Sequence, residues 1–243
     1  MEENKELIKL EEKLKTIEHK DNSLKRLDMS FGKHIELKEY KKSHLLAYWI
    51  ADFSEYHDIE RNFDYSKLKT FKRGDIVKAN LGFNIGSELG GLHYCVVLNK
   101  YDNPYSKVLN VIPLTSKKDN KKYDSKACID LGDEIYTLLN NKFEKDLKEC
   151  EKELQTVKDL LTATPSSSQN ERLNSLSMKL MYLGKIKEEL QKMKHGSIAK
   201  IDQITTVSKI RIFNTKNNIL LGITATDRTL DLIDSKIKKL YTK

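Results

Sequence analysis

His93, Glu88 and Thr115 are the side chains whose types suit proton transfer on a phosphate ester. A histidine near its ordinary pKa can serve as base or acid at neutral pH. Glu88 can orient that imidazole or act as the base, and Thr115 can donate its hydroxyl to a phosphate oxygen. Lys72, Arg73, Lys117 and Lys118 can offset negative charge that builds up in a reaction. Each residue also has a plainer reading. His93 opens an apolar run and reads, alone, as an edge residue of a strand. Glu88 in a glycine-rich stretch reads as a solvated charge, and Thr115 as a strand-end residue. Arg73 reads as the partner of a nearby carboxylate, and Gln203 and Thr206 as polar residues of a strand-to-turn region.

Positioning such groups requires a scaffold, and the chain changes texture three times. From 5 to 29, Leu7, Leu10, Leu14, Ile17 and Leu24 recur at heptad spacing among charges, the pattern of an amphipathic helix that needs a partner. From 39 to 61 a second helical pattern carries Leu45, Leu46, Trp49, Ile50 and Phe53. From Lys72 onward β-type residues take over, with strands expected at 76–81, 93–99, 108–114 and 127–131, then at 197–201 and 209–213. Residues 82–91 are glycine-rich and read as a loop, and Asp102-Asn103-Pro104 as a turn. Pro113 sits near the end of its strand, where a missing amide donor is tolerated. The strands are interrupted at 135–195 by two runs of leucines stepping by threes and fours, an antiparallel helical hairpin with a polar tip around Pro165. Its stripes are expected to face each other or the N-terminal helix. Residues 226–240 read as a closing helix capped by Thr226 or Asp227.

These textures divide the chain into an N-terminal helical region, 1–64, a β-rich region, 65–134 and 196–243, and an inserted hairpin, 135–195. The fold class expected is α+β: an antiparallel barrel or sandwich with helical additions. Of 243 residues, 38% are hydrophobic and 33% charged, and the net charge of +8 favours a polyanionic or acidic partner. The same charge also suits lysine-rich helices that merely stay in solution. No run is apolar enough to span a membrane, and 1–20 lacks the apolar centre of a signal peptide. Cys95, Cys128 and Cys150 show no ligand spacing, and none of the six histidines pairs with another histidine or a cysteine at such spacing, so no metal site and no cofactor is expected. The loop at 82–91 lacks the Lys-Ser/Thr ending of a nucleotide-binding loop.

Three segments carry a family resemblance: Phe71-Lys72-Arg73-Gly74-Asp75-Ile76-Val77, then Gly86-Ser87-Glu88-Leu89-Gly90-Gly91-Leu92-His93-Tyr94-Cys95-Val96-Val97-Leu98, and Val111-Ile112-Pro113-Leu114-Thr115-Ser116. Together they resemble the MazF/PemK (Kid-like) toxins of bacterial toxin–antitoxin systems. Asp202-Gln203-Ile204 sits like the late Gln-Ile strand of that family. The N-terminal helices and the hairpin have no counterpart in its minimal members.

The resemblance implies a homodimeric, SH3-like antiparallel barrel in the cytoplasm that cuts single-stranded RNA without metal and is neutralised by a cognate antitoxin. Cleavage would run by 2′-hydroxyl attack, leaving a 2′,3′-cyclic phosphate and a 5′-hydroxyl. The family's catalytic Thr or Ser maps to Thr115, and its loop glutamate to Glu88. Its arginine position holds His93, so the usual charge stabiliser is replaced by a group that can move protons. Arg73, Lys72, Ser87, Lys117, Lys118 and Gln203 are the RNA contacts expected on this reading. The rival expectation is a non-catalytic binding module on the same barrel, as in the related CcdB-type toxins that bind a topoisomerase. A third expectation concerns the added helices, which could dimerise, select RNA, or cover the groove as an attached inhibitor.

Overall fold

The computed structural model describes residues 2–160, 166–193, 196–213, 220 and 222–242. The expected polar tip of the hairpin at Pro165, and His195, lie outside these. The chain divides into two compact units, Met1–His57 and Asp58–Lys243.

The first unit is helical. Helix α1 spans Glu2–Glu36 and α2 spans Tyr40–Glu60, which carries on into the second unit. Between them Lys38 takes a left-handed conformation (φ 59°), and the Glu39 amide reaches back to the His34 carbonyl at 2.8 Å, which closes the end of α1. Along α2, Trp49 packs against both Phe53 and Tyr56.

The second unit is α+β with an antiparallel sheet. Its strands are β1 Ile76–Asn80, β2 Leu92–Val97, β3 Val108–Ser116, β4 Cys128–Asp130, β5 Ser197–Lys200 and β6 Thr205–Ser208. Helices α3 (Glu134–Leu160) and α4 (Ser167–Lys192) form the insertion, and α5 (Asp227–Tyr241) closes the chain. Ser166 starts α4 with a reciprocal capping box to Gln169, and Thr226 caps α5 by accepting from the Thr229 amide.

The sheet order is β1-β2-β3-β5-β4, with β6 also on β3. One edge of β3 pairs with β2, from Cys95↔Pro113 to Val97↔Val111. Its other edge is shared: β6 runs along 108–111 and β5 along 114–116. The short 3₁₀ turn Ile201–Gln203 separates these two partners. Along a strand the amides point alternately to the two neighbours. Asn110 faces β2, because its carbonyl accepts from Leu98, and Lys117 faces the other edge, because its amide donates to Gly196. Pro113 therefore turns its donor-less nitrogen to the edge where the 3₁₀ turn interrupts pairing, so no ladder bond is lost.

A barrel closed by continuous ladders is not formed among the described residues. The return to β1 is made by two isolated bridges, Ala79↔Ile212 and Asp75↔Thr224. The strand expected at 209–213 is also displaced. The strand lies at Thr205–Ser208, and Lys209–Arg211 is a 3₁₀ turn. The reason is an ion pair: Lys209 Nζ lies 2.7 Å from Asp102 Oδ1, with both side chains 1% exposed. Lys209 also donates to the Asn103 carbonyl, while Asp102 accepts from the Phe71 amide at 2.8 Å. Turning at 209 brings the ammonium inward to these partners.

Both faces of the sheet are buried. Val77, Ala79, Cys95, Val97, Leu109, Val111 and Val207 pack on one face with Phe71 and Ile212. Ile76, Val96, Ile112 and Leu114 pack on the other with Ile135, Leu139, Ile186, Leu190 and Ile233 from the three helices. The distal half of the hairpin closes its own stripes on each other through Cys150, Val157, Leu176 and Leu183. Asp102→Ala should cost about 3–5 kcal/mol, because it leaves the buried Lys209 ammonium without its counter-charge. Urea unfolding should show Asp102→Ala/Lys209→Met recovering much of that loss. Equal instability of the single and double variants would show that the charge pair is not the cause.

Candidate functional site

The loop at 82–91 is built from its own polar groups. Gly82 and Gly91 exchange a short backbone bond of 2.6 Å, and Asn84 Nδ2 donates to the Leu89 and Leu81 carbonyls at 2.7 and 3.3 Å. At Gly90 a Cβ would stand 2.6 Å from the Gly82 carbonyl oxygen, so a side chain there would break the loop's closure. Gln203, reaching in from the 3₁₀ turn, fastens the loop from outside. Its Oε1 accepts from the Leu89 amide at 2.6 Å and its Nε2 donates to the Ser87 carbonyl at 3.0 Å. These two bonds flank Glu88 on either side, much as an extra strand would, and the Glu88 side chain stays exposed.

His93 sits where β2 leaves β3. The last ladder pair is Cys95↔Pro113, and continuing that register by two residues sets His93 opposite Thr115. The ring enters this opening and its Nδ1 lies 2.7 Å from the Leu114 carbonyl oxygen. A carbonyl only accepts, so the proton is on Nδ1 and the lone pair of the neutral ring is on Nε2. Thr115 is half-buried, and its backbone pairs with Ile198 of β5.

A cleft of about 400 Å³ lies beside the loop. Its walls include Asn84, Glu88, Leu89, Pro113, Asp202, Gln203, Thr205 and Arg211. The structure therefore brings Glu88 and Gln203 together, while His93 and Thr115 are not among its lining residues. Arg211 was not singled out by sequence. It lies in the run read as a strand, and its Nε donates to the Asn80 carbonyl at 2.8 Å, so its place at the cleft comes from the 3₁₀ turn.

The expected cations are placed unequally. Arg73 donates to the Leu98 carbonyl at 3.0 Å and pairs with Asp234 of α5, which ties β1 to the last helix. Lys117 lies 2.6 Å from Asp130, whose hydrogen bond holds the Lys117 ammonium above its ordinary pKa and the Asp130 carboxyl below its own. The Lys72 amide donates to Asp75, the Lys118 amide to the Tyr123 hydroxyl, and both side chains are exposed. Ser87 is exposed and meets Gln203 through its carbonyl. Cys95 is fully buried, and burial pushes its thiol up to about 12, so it is no nucleophile at neutral pH. Among the described residues no group of three or more His, Cys, Asp or Glu side chains could hold a metal ion. No described helix is long and apolar enough to cross a membrane.

Next to His93, Tyr94 turns to the opposite face and donates to Glu189 of α4, which also pairs with Lys78 of β1. No sequence signal pointed to Glu189, since its partners are in strands far along the chain. Burial acts to raise the Glu189 pKa, but the bonds from Lys78 and Tyr94 outweigh it and hold the carboxyl below its ordinary value. Burial, reinforced by Glu189, drives the Tyr94 hydroxyl far upward, so it stays protonated.

Residues 72–148 match the model of a family described as PemK-like, MazF-like toxin of type II toxin–antitoxin systems. No curated protein matches the chain.

Two outcomes follow from these contacts. Gln203→Ala should speed hydrogen exchange at the Leu89 amide while the β2 core amides, such as Val96, keep their protection; unchanged Leu89 exchange would remove Gln203 as the loop's clamp. Glu189 has a depressed folded-state pKa, so its stabilisation is present above the unfolded carboxyl pKa and is lost as the pH falls through the folded one. Urea midpoints of wild type and Glu189→Gln should therefore differ near neutrality and converge below about pH 4. A constant difference across that range would count against the ion pair.

Proposed function

We propose that this chain, whose residues 72–148 match the model of the PemK-like, MazF-like toxins, is the toxin of a toxin–antitoxin system and cuts single-stranded RNA, mRNA above all, in the cytoplasm. The sheet is read as an SH3-like barrel whose closing pairs are reduced to single bridges. The observation that carries the proposal is the hold of the Leu114 carbonyl on His93 Nδ1, which leaves Nε2 as a defined proton acceptor opposite Thr115 in the extended register.

On this reading His93 Nε2 takes the 2′-hydroxyl proton. The 2′-oxygen bonds to phosphorus, the bond to the 5′-oxygen breaks, that oxygen takes a proton from solvent water, and His93 returns the proton it took to solvent. The products are a 2′,3′-cyclic phosphate and a 5′-hydroxyl, and no metal takes part. Thr115 donates to a phosphate oxygen, and Lys117 and Lys118, which follow it directly, offset the charge on the phosphorane. Lys72, Ser87 and the cleft side of Glu88 and Gln203 receive the RNA strand. Arg73 contributes by orienting β1 through Asp234. A homodimer neutralised by a cognate antitoxin completes the picture.

Purified protein should cut a mixed single-stranded RNA pool in chelator. His93→Gln, which can still donate to the Leu114 carbonyl but cannot take up a proton, should lose about a hundredfold or more of that rate while its circular dichroism and melting stay near those of the wild type. Full activity in that variant would take His93 out of the mechanism. That His93 and Thr115 do not line the cleft favours a second reading, a binding module without catalysis. Growth arrest with the RNA pool left intact would support that one.

A further inference from the structure

Helix α1 displays an apolar stripe that no described residue of its own unit covers. Every described residue from 5 to 26 is exposed, and Leu7, Leu10, Leu14, Ile17 and Leu24 are between 41% and 58% accessible. Leu7, Leu14 and Asp21 repeat at one heptad position, and Leu10, Ile17 and Leu24 at the other. A stripe of this kind on a charged helix is a seam for another helix.

The charges beside the seam select the partner. Glu6, Lys13 and Lys20 line one flank, and Glu11, Glu18 and Lys25 the other. In a parallel, in-register pair of identical helices, Lys13 would meet Glu18, but Glu6 would meet Glu11, Lys20 would meet Lys25, and Asp21 would face Asp21 in the core. In an antiparallel pair, Leu7 stacks on Leu24 and Leu14 on Ile17. Glu6 then meets Lys20, and Glu11 meets Lys25, each twice by symmetry, against one like-charge approach of Glu18 to Glu18. Asp21, opposite Leu10, comes beside Lys13 of the second copy, which also relieves the approach of the two Lys13 side chains. Asp21 makes an exposed contact with its neighbour Lys20 at 2.8 Å, both more than half accessible, and such a contact is easily exchanged.

We propose that α1 pairs antiparallel with α1 of a second copy of this chain. The paired stretch, 7–24, spans about 27 Å at the rise of an α-helix. About two and a half heptads make a modest interface, one that forms and parts with concentration. The pairing does not depend on RNA cleavage, nor on any association through the other unit.

Sedimentation equilibrium of the full chain over a concentration series tests it. The wild type should show a concentration-dependent association step, and Leu14→Lys/Ile17→Lys should abolish that step. Lys25→Glu should weaken it about tenfold, since two attractive contacts become repulsive, and adding Glu11→Lys should restore it. A wild type whose mass does not vary with concentration would overturn the proposal. An association step that survives Leu14→Lys/Ile17→Lys would do the same. A tighter association in Lys25→Glu would indicate parallel helices and overturn it as well.

Discussion

The second unit depends on β3 being occupied on all four sides. Its edges pair with β2 on one hand and with β5 and β6 on the other, and its two faces bury Leu109 and Val111 in one core and Ile112 and Leu114 in another. A strand in that position has few free groups, so every irregularity beside it has to be reconciled with its hydrogen bonds. Pro113 is tolerated because its missing donor faces a break, and the break exists because β5 and β6 are offset by the turn at Ile201–Gln203. The same turn projects Gln203 toward the loop. One offset in pairing thus sets both the proline and the clamp.

His93 shows how a structural demand and a chemical capacity can share a side chain. Where β2 departs, the Leu114 carbonyl would face the opening without a strand partner. The imidazole supplies the donor, and in doing so takes one defined tautomer. An arginine there would satisfy the carbonyl as well but could not exchange a proton at neutral pH. The two roles are inseparable by simple deletion, because removing the ring also exposes the strand opening.

Much of this architecture was legible from residue pattern. The apolar runs placed β1 to β5 within a residue or two, the leucine stepping placed α3 and α4, and Thr226 marked the start of α5. What was not legible depends on partners distant in sequence. Nothing local says that Lys209 is buried, since its counter-charge Asp102 sits in a turn between other strands; without that pair, 209–213 looks like a strand. Arg73 reads locally as the partner of a nearby carboxylate, yet its partner is Asp234, on the final helix. Glu88 and Gln203 were both visible as candidates, but their adjacency across the loop was not, because it is made by backbone atoms of Ser87 and Leu89 that carry no sequence signal.

The insertion has a topological meaning. β4 and β5 are antiparallel neighbours, and the segment between them leaves and returns at nearly one point: the Gly196 amide donates to Asp133 at 2.7 Å, and the Ser197 amide to the Gly132 carbonyl at 2.9 Å. In effect the pair is a β-hairpin whose turn consists of two helices. Because α3 and α4 can zip together through contacts near in sequence, they shorten the loop whose ends must meet before β5 can dock. The hairpin is therefore not only cargo on the sheet. It lowers the entropic barrier to joining the strands before it with those after it, and it allows a split sheet to assemble in chain order.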